Sequence, residues 1–268
     1  MRRVSDWIID QIVHFDFARD TIKSGLAHFG FYDRLGRYFA VAHTKHFVGL
    51  VGEHDRLEWT VDAKPVLAGV PNIPSPIELP MYVDALSDGA LVVSNFKTAE
   101  LYRIDPFTMT ARLLVDGHVL DLVDMGNCVV DDQGCIWVNE VTGCRLWRFD
   151  PTGRPAEVLG DGTPGFQSDT VPFGELRFSW IYDIRRGPDN TIYVLDSRNF
   201  ALRVVDVARR CVHTIAGDGR PGYQDDGGNA RHARSAAIRT PSSTARSPSQ
   251  WMRGGTCTLA TVSITSSE

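Results

Sequence analysis

The sequence lacks any hydrophobic run long enough to cross a membrane as a helix. A bilayer requires ~20 consecutive apolar residues, and no stretch of the 268 residues approaches that length. The basic pair Arg2 and Arg3 precedes an apolar segment that Asp6 and Asp10 interrupt, so this segment is not the core of a secretory signal peptide. We therefore expect no membrane partner and, by default, a cytoplasmic location.

An excess of positive charge is also missing. The chain has 28 Lys and Arg against 33 Asp and Glu, which gives a formal net charge of -5. Proteins that bind nucleic acid mainly through phosphate contacts need a basic surface. The sequence therefore argues against a nucleic-acid partner.

Familiar catalytic and metal-binding motifs are absent as well. The sequence has neither a G-x-S-x-G elbow nor an H-E-x-x-H pair. The five cysteines are odd in number and lack zinc-site spacing, so we expect reduced, structural thiols. His43 and His46 share one loop without an identifiable third ligand, which favours a solvated sheet edge over a metal site.

Internal repetition is what the sequence has in abundance. A polar anchor residue recurs at the end of short β-rich runs, and in four copies an Asp follows it ten residues later. The anchors of these copies are Asp6, Asn95, Glu140 and Asp196, and Ala42 takes the position in a weaker fifth copy. Self-similarity of this kind indicates a repeat architecture. Because the anchor recurs, we expect it to bond neighbouring backbone rather than to catalyse.

Four of the repeats also have a turn six residues before the anchor position. Gly36, Gly89, Gly134 and Asn190 supply the positive φ that a hairpin needs, and β-rich runs of about 4–6 residues flank the turns. Four-stranded antiparallel units repeated radially make a β-propeller, whereas an all-β sandwich does not demand such repetition. We therefore predict an all-β propeller, with consecutive four-stranded blades over residues 27–216.

Two segments resemble a known family. Residues 192–203 (IYVLDSRNFALR) look like the NHL repeat, whose signature is a "YVAD..N..IR" run, and residues 216–228 resemble the link between blades of bacterial NHL propellers. The resemblance extends over residues 4–234. It implies a binding or scaffold propeller that recognises a protein or a small-molecule ligand through loops at one face of the ring.

Neither end of the chain completes a blade as written. Residues 4–24 match the outer half of a repeat, although an amphipathic helix is the alternative. From residue 235 onward the pattern gives way to Ser, Thr, Arg and Ala. We predict that residues 1–234 form about four and a half blades of a ring of about six, and that residues 235–268 are a disordered tail or the product of a frameshift near residue 235. A shifted reading of the codons for residues 251–268 permits a repeat-like sequence, so sequencing the coding DNA distinguishes the two.

Polar residues on the innermost strand of each repeat are the candidate binding site. Counting back seven residues from the turn makes Tyr82, Asn127 and Asp183 equivalent. The full set of predicted channel-lining residues is Tyr82, Asp84, Asn127, Trp180, Tyr182 and Asp183. Oxygen donors of this kind suit a divalent cation of the Ca, Mg or Zn class, with Asn127 and Asp183 as its ligands, while solvated channel residues are the alternative.

A second resemblance bears on that cation. Residues 128–138 together with residues 148–153 look like the gluconolactonase-like and streptogramin-lyase-like propellers. The lactonases hold one divalent cation in the channel through Glu, Asn and Asp. Asn127 lies near the family's Asn, but its spacing to Asp131 departs by one residue. The resemblance implies an alternative function, a metal-dependent lactonase-like or lyase-like enzyme, and no catalytic residue is assigned.

Two further patterns have structural interpretations. Residues 160–165 and 217–222 both read G-x-G-x-x-G, but each contains a proline, which lacks the N–H that a phosphate needs, and neither opens a helix. We expect turn linkers and no nucleotide cofactor. The acidic pairs at 131–132 and 225–226 do not fit an EF-hand loop, and we expect Asx turns at hairpins.

Overall fold

The computed structural model describes residues 29–222, except for residues 34, 44–45, 53–55, 66–67 and 168–169. The predictions for the N-terminal repeat copy, for the acidic pair at 225–226 and for the tail lie outside the described residues. The described residues contain strands and short 3-10 turns but no α-helix, and none of their helical segments is long and apolar enough to cross a membrane. All of them belong to one compact unit, Phe15–Ile238.

The described strands form four sheets that follow one another along the chain. The first sheet contains β1 (Phe29–Tyr32), β2 (Tyr38–Ala42), β3 (Phe47–Val51), β4 (Leu57–Asp62) and β5 (Asn72–Pro74). The second contains β6 (Pro80–Ala85), β7 (Leu91–Asn95), β8 (Glu100–Asp105) and β9 (Thr110–Asp116). The third contains β10 (Cys128–Val130), β11 (Ile136–Glu140), β12 (Arg145–Phe149) and β13 (Pro155–Leu159). The fourth contains β14 (Val171–Pro172), β15 (Ile181–Arg186), β16 (Ile192–Asp196), β17 (Ala201–Asp206) and β18 (Cys211–Ala216).

Each sheet is built from hairpins, as the repeat predicts. The backbone at Gly36, Gly89, Gly134 and Asn190 has φ of 77°, 86°, 81° and 58°, so the predicted turns are confirmed. The second and third sheets have the predicted four antiparallel strands. The first and fourth sheets differ, because β5 pairs parallel to β4 and β14 joins the far edge of β18.

The core lies between successive sheets. Along β7, Val92 belongs to a buried cluster that extends into the third and fourth sheets, while its neighbours Leu91 and Val93 belong to a cluster that includes the first sheet. Successive side chains of a strand point to opposite faces, so both faces of the second sheet are buried. The inner-edge strand β10 contacts both β6 and β15, which brings the inner edges of three sheets together.

The anchors tie each repeat to itself. Asn95, Glu140 and Asp196 accept the backbone N–H of the residue 17 positions earlier, at 2.8, 2.8 and 2.7 Å. Each bond joins the strand that follows the turn to the segment before the inner strand. The predicted structural role of the anchor is therefore confirmed in these three copies.

Candidate functional site

The inner strands bring polar residues of three sheets together. Tyr82 of β6 lies opposite Ser94 and Asp183 of β15 lies opposite Leu195, in each case the residue before an anchor. Asn127, next to β10, holds the same place, since its carbonyl accepts the N–H of Asn139 at 3.4 Å. The counting rule therefore finds equivalent positions, whereas their orientation toward a central channel stays a prediction.

Direct contacts join these residues into one group. The Asn127 amide donates a hydrogen bond to Asp183 Oδ1. Arg185 Nη1 lies 2.9 Å from the same oxygen, and the Arg185 guanidinium lies 4.7 Å from the centre of the Tyr82 ring. We call Tyr82, Asn127, Asp183 and Arg185 the inner-strand cluster.

The cluster is buried on one side and open on the other. Asn127 and Tyr82 are 6% and 8% exposed, whereas the Arg185 side chain is 43% exposed. Burial raises the pKa of Tyr82 to about 12, so the phenol stays protonated at neutral pH. Burial also raises the pKa of Asp183, and Arg185 and Asn127 oppose that increase. The solvent therefore meets a guanidinium whose position is held by a carboxylate and an aromatic ring.

Asp84, two residues along β6, has a different environment. Its carboxylate accepts the N–H of Ala85 at 2.7 Å and the N–H of Val130 at 2.8 Å, and the residue is 5% exposed. The bond to Val130 connects β6 to β10. Asp84 therefore holds two inner strands together beside the cluster.

The two predicted aromatic residues lie at the start of β15. The Trp180 backbone has a positive φ of 60°, and its ring lies 4.1 Å from the Arg198 guanidinium. Tyr182 is 49% exposed.

Sequence reasoning missed Arg185, although its spacing of two residues from Asp183 places both side chains on one face of a strand.

The cluster does not fit a divalent cation in its present arrangement. Asp183 Oδ1 accepts the Asn127 amide and also bonds the Arg185 guanidinium. A cation bound there would lie beside a positive charge, and Asn127 turns its N–H toward the carboxylate rather than its oxygen. The Arg185 guanidinium thus already pairs with the carboxylate oxygen that the predicted cation would use.

One glycine motif and one acidic pair form turns. Gly160 and Gly162 have φ of 89° and 82°, and Asp161 Oδ1 accepts the Thr163 N–H at 2.8 Å, so the first glycine motif is a turn linker as predicted. Asp131 Oδ1 accepts the N–H groups of Gln133 and Cys135 at 2.9 and 2.8 Å, which confirms the Asx turn.

The two histidines of the first sheet form defined bonds and are not simply solvated. His43 Nδ1 lies 3.2 Å from the Pro80 carbonyl, and His46 Nδ1 accepts the Leu79 N–H at 3.1 Å. Both are half-buried, and their bonds connect the first sheet to the start of β6. Four cysteines within the described residues are free, as expected, namely Cys128, Cys135, Cys144 and Cys211.

Comparisons with known proteins identify the fold. No family model and no curated protein matches the chain. The chain is similar to a protein of unknown function from Bacteroides thetaiotaomicron, with a TM-score of 0.58 and 14% identity over 75% of this chain and 49% of that chain. It is also similar to an auxiliary nutrient binding protein from Bacteroides ovatus, with a TM-score of 0.54 and 16% identity over 75% of this chain and 50% of that chain. A catalytically inactive virginiamycin B lyase from Staphylococcus aureus with quinupristin gives a TM-score of 0.50 and 11% identity over 78% of this chain and 59% of that chain.

The chain thus spans 49–59% of the length of these proteins. Identities this low relate the folds and not the activities. Consecutive antiparallel sheets that meet at their inner edges, together with these structural relatives, show that the chain has a β-propeller fold.

Proposed function

We propose that the chain is an NHL-type binding propeller whose inner-strand cluster recognises a small hydroxycarboxylate, such as a sugar acid. The observation that carries the proposal is the half-exposed Arg185, held between Asp183 and the Tyr82 ring. A guanidinium presents a planar fork of donors that matches a carboxylate. Asp183 is an acceptor for a ligand hydroxyl, and the buried Asn127 amide fixes that carboxylate in place.

The comparisons support a binding role only in general terms. The Bacteroides ovatus relative is named as an auxiliary nutrient binding protein, and its similarity to this chain is one of fold. The ligand class is inferred from the inner-strand cluster alone. The NHL resemblance also implies a protein partner bound through loops, and detection of such a partner in place of a small ligand would replace the proposal.

Substitution of Arg185 tests the proposal. We expect sugar acids, but not the matching neutral sugars, to bind the full chain in isothermal titration calorimetry. Arg185→Gln should weaken that binding about 10- to 100-fold, because a charge-assisted hydrogen bond contributes about 1.5–3 kcal/mol. Arg186→Gln is the matched control, since Arg186 follows on the same strand and pairs instead with the exposed Asp132 at 2.8 Å. Equal binding by wild type and Arg185→Gln would overturn the proposal, as would preference for neutral sugars.

The second candidate function is the metal-dependent lactonase-like or lyase-like enzyme. The observation in its favour is that Asn127 and Asp183 touch, which places an amide and a carboxylate side by side. A cation would require Arg185 to leave Asp183 and the Asn127 amide to turn over. Lactone hydrolysis that a chelator stops and that Asp183→Asn abolishes would establish this alternative, whereas the binding proposal expects no effect of the chelator on sugar-acid affinity.

A further inference from the structure

A second group of chemically reactive side chains lies on the outer hairpin of the fourth sheet. Asp206 ends β17 and is the register partner of Cys211, the first residue of β18. Register partners in an antiparallel pair present their side chains on the same face, and His213 shares that face because it lies two residues after Cys211. Strand pairing therefore places a carboxylate, a thiol and an imidazole together.

The distances between these groups match those of metal ligands. One ligand atom from each of Asp206, Cys211 and His213 lies within 4.8 Å of the other two. Cys211 Sγ is 3.4 Å from His213 Nε2. A tetrahedral zinc ion with ordinary bond lengths separates its sulfur and nitrogen ligands by about 3.6 Å.

The imidazole is oriented for this role by a hydrogen bond on its other nitrogen. His213 Nδ1 lies 2.8 Å from Thr170 Oγ1, and Thr170 directly precedes β14, which pairs with β18. This bond leaves Nε2 directed toward Cys211. A polar partner on the distal nitrogen is the usual accompaniment of a metal-bound histidine.

We propose that Asp206, Cys211 and His213 bind a divalent transition metal, with zinc as the preferred ion. Thiolate and imidazole donors favour zinc over calcium or magnesium, which select oxygen ligands. Cys211 binds as the thiolate, so its proton passes to solvent as the sulfur–metal bond forms. Three protein ligands leave the fourth tetrahedral position to water.

Arg209 is the group that competes with the metal. Its guanidinium lies 2.8 Å from Asp206 Oδ2, and its side chain is 79% exposed. The backbone N–H of Arg209 donates to Asp206 Oδ1 at 2.8 Å. The neighbouring Arg210 is paired with Glu157 at 2.5 Å instead. An exposed arginine contributes little to holding a carboxylate, so a metal ion can displace the Arg209 side chain.

Cobalt titration of the full chain under reducing conditions tests the site, because a cobalt–thiolate bond gives a near-ultraviolet charge-transfer band. We expect this band to saturate at one equivalent and to disappear on addition of zinc. Cys211→Ser should abolish it, and Asp206→Asn should weaken affinity at least 10-fold. Thr170→Val should weaken affinity about 10- to 100-fold, which is the usual effect of removing a partner behind a ligand.

Two controls keep the test independent of folding defects. Cys135→Ser removes another half-buried free thiol, and the band should be unchanged. Arg209→Ala should tighten cobalt binding severalfold, an increase that a damaged fold would not produce. Absence of a thiolate band in wild type, its loss in Cys135→Ser, or its survival in Cys211→Ser would each overturn the proposal.

Discussion

At the scale of single residues, the buried anchors of the repeat satisfy donors that would otherwise be costly to bury. Glu140 is fully buried, and its oxygens accept the Val123 N–H at 2.8 Å, Arg145 Nε at 2.6 Å and Trp147 Nε1 at 3.1 Å. Asp196 takes the same place in the fourth sheet, where burial raises its pKa to about 6 although Asn199 and Arg203 oppose the shift. Removing the Glu140 carboxylate therefore leaves the buried Trp147 Nε1 without its partner.

Replacement of Glu140 measures this contribution. We expect Glu140→Ala to lower the free energy of unfolding by about 2–4 kcal/mol, because Trp147 Nε1 is left buried without an acceptor and the bonds to Val123 and Arg145 are lost. Glu78→Ala, which breaks the exposed pair with Lys97, should cost less than about 1 kcal/mol. Urea denaturation of both variants is the measurement, and equal losses would show that the anchor adds nothing beyond a surface pair.

At the scale of elements, the connecting turns differ in how much room they leave for a side chain. Gly36 has a φ of 77°, and a Cβ added there meets no described atom within 4 Å. Gly160 has a φ of 89°, and its Cβ would lie 2.7 Å from the Cys144 carbonyl oxygen. The hairpin turn at Gly36 therefore requires only a residue that tolerates positive φ, whereas the linker after β13 also requires a residue without a Cβ atom at Gly160.

Alanine substitutions distinguish the two requirements. Gly36→Ala should lower the free energy of unfolding by about 1–2 kcal/mol, the cost of a left-handed backbone for a residue with a Cβ. Gly160→Ala should lower it by at least twice as much, since the carbonyl must also move. Gly174→Ala, at a position without positive φ and with open space, is the neutral control. Thermal unfolding compares all three, and equal shifts for Gly36 and Gly160 would contradict the steric argument.

The elements also show which features sequence reasoning could reach. Turns at Gly89 and Gly134 and the anchor role of Glu140 follow from local patterns that recur along the chain, and the structure confirms them. The short strands β5 and β14 carry no repeat signal, since pairing with a neighbouring strand alone defines them. Arg185 was missed for a related reason, because its place in the inner-strand cluster depends on a contact with Tyr82 on another sheet.

At the scale of the described molecule, the second sheet links two cores. Leu101 of β8 belongs to the core shared with the third and fourth sheets, while Ile104 of the same strand belongs to the core shared with the first. Both side chains are fully buried. In repeat architectures each unit is stabilised mainly by its neighbours, so a unit with packed faces on both sides couples the units on either side of it.

This coupling predicts that the described sheets unfold together. Ile104→Ala should destabilise the protein by about 2–5 kcal/mol through the cavity it leaves. Although Ile104 packs against the first sheet, amide hydrogen exchange should accelerate equally in β4 and in β11, because opening either core exposes the second sheet. Leu101→Ala, on the opposite face of the sheet, should also accelerate exchange in both β4 and β11. Leu113 is 44% exposed, so Leu113→Ala should accelerate exchange less. Faster exchange confined to the first sheet in Ile104→Ala would show that the two cores open independently, and the second sheet would then be a boundary between two separately stable halves.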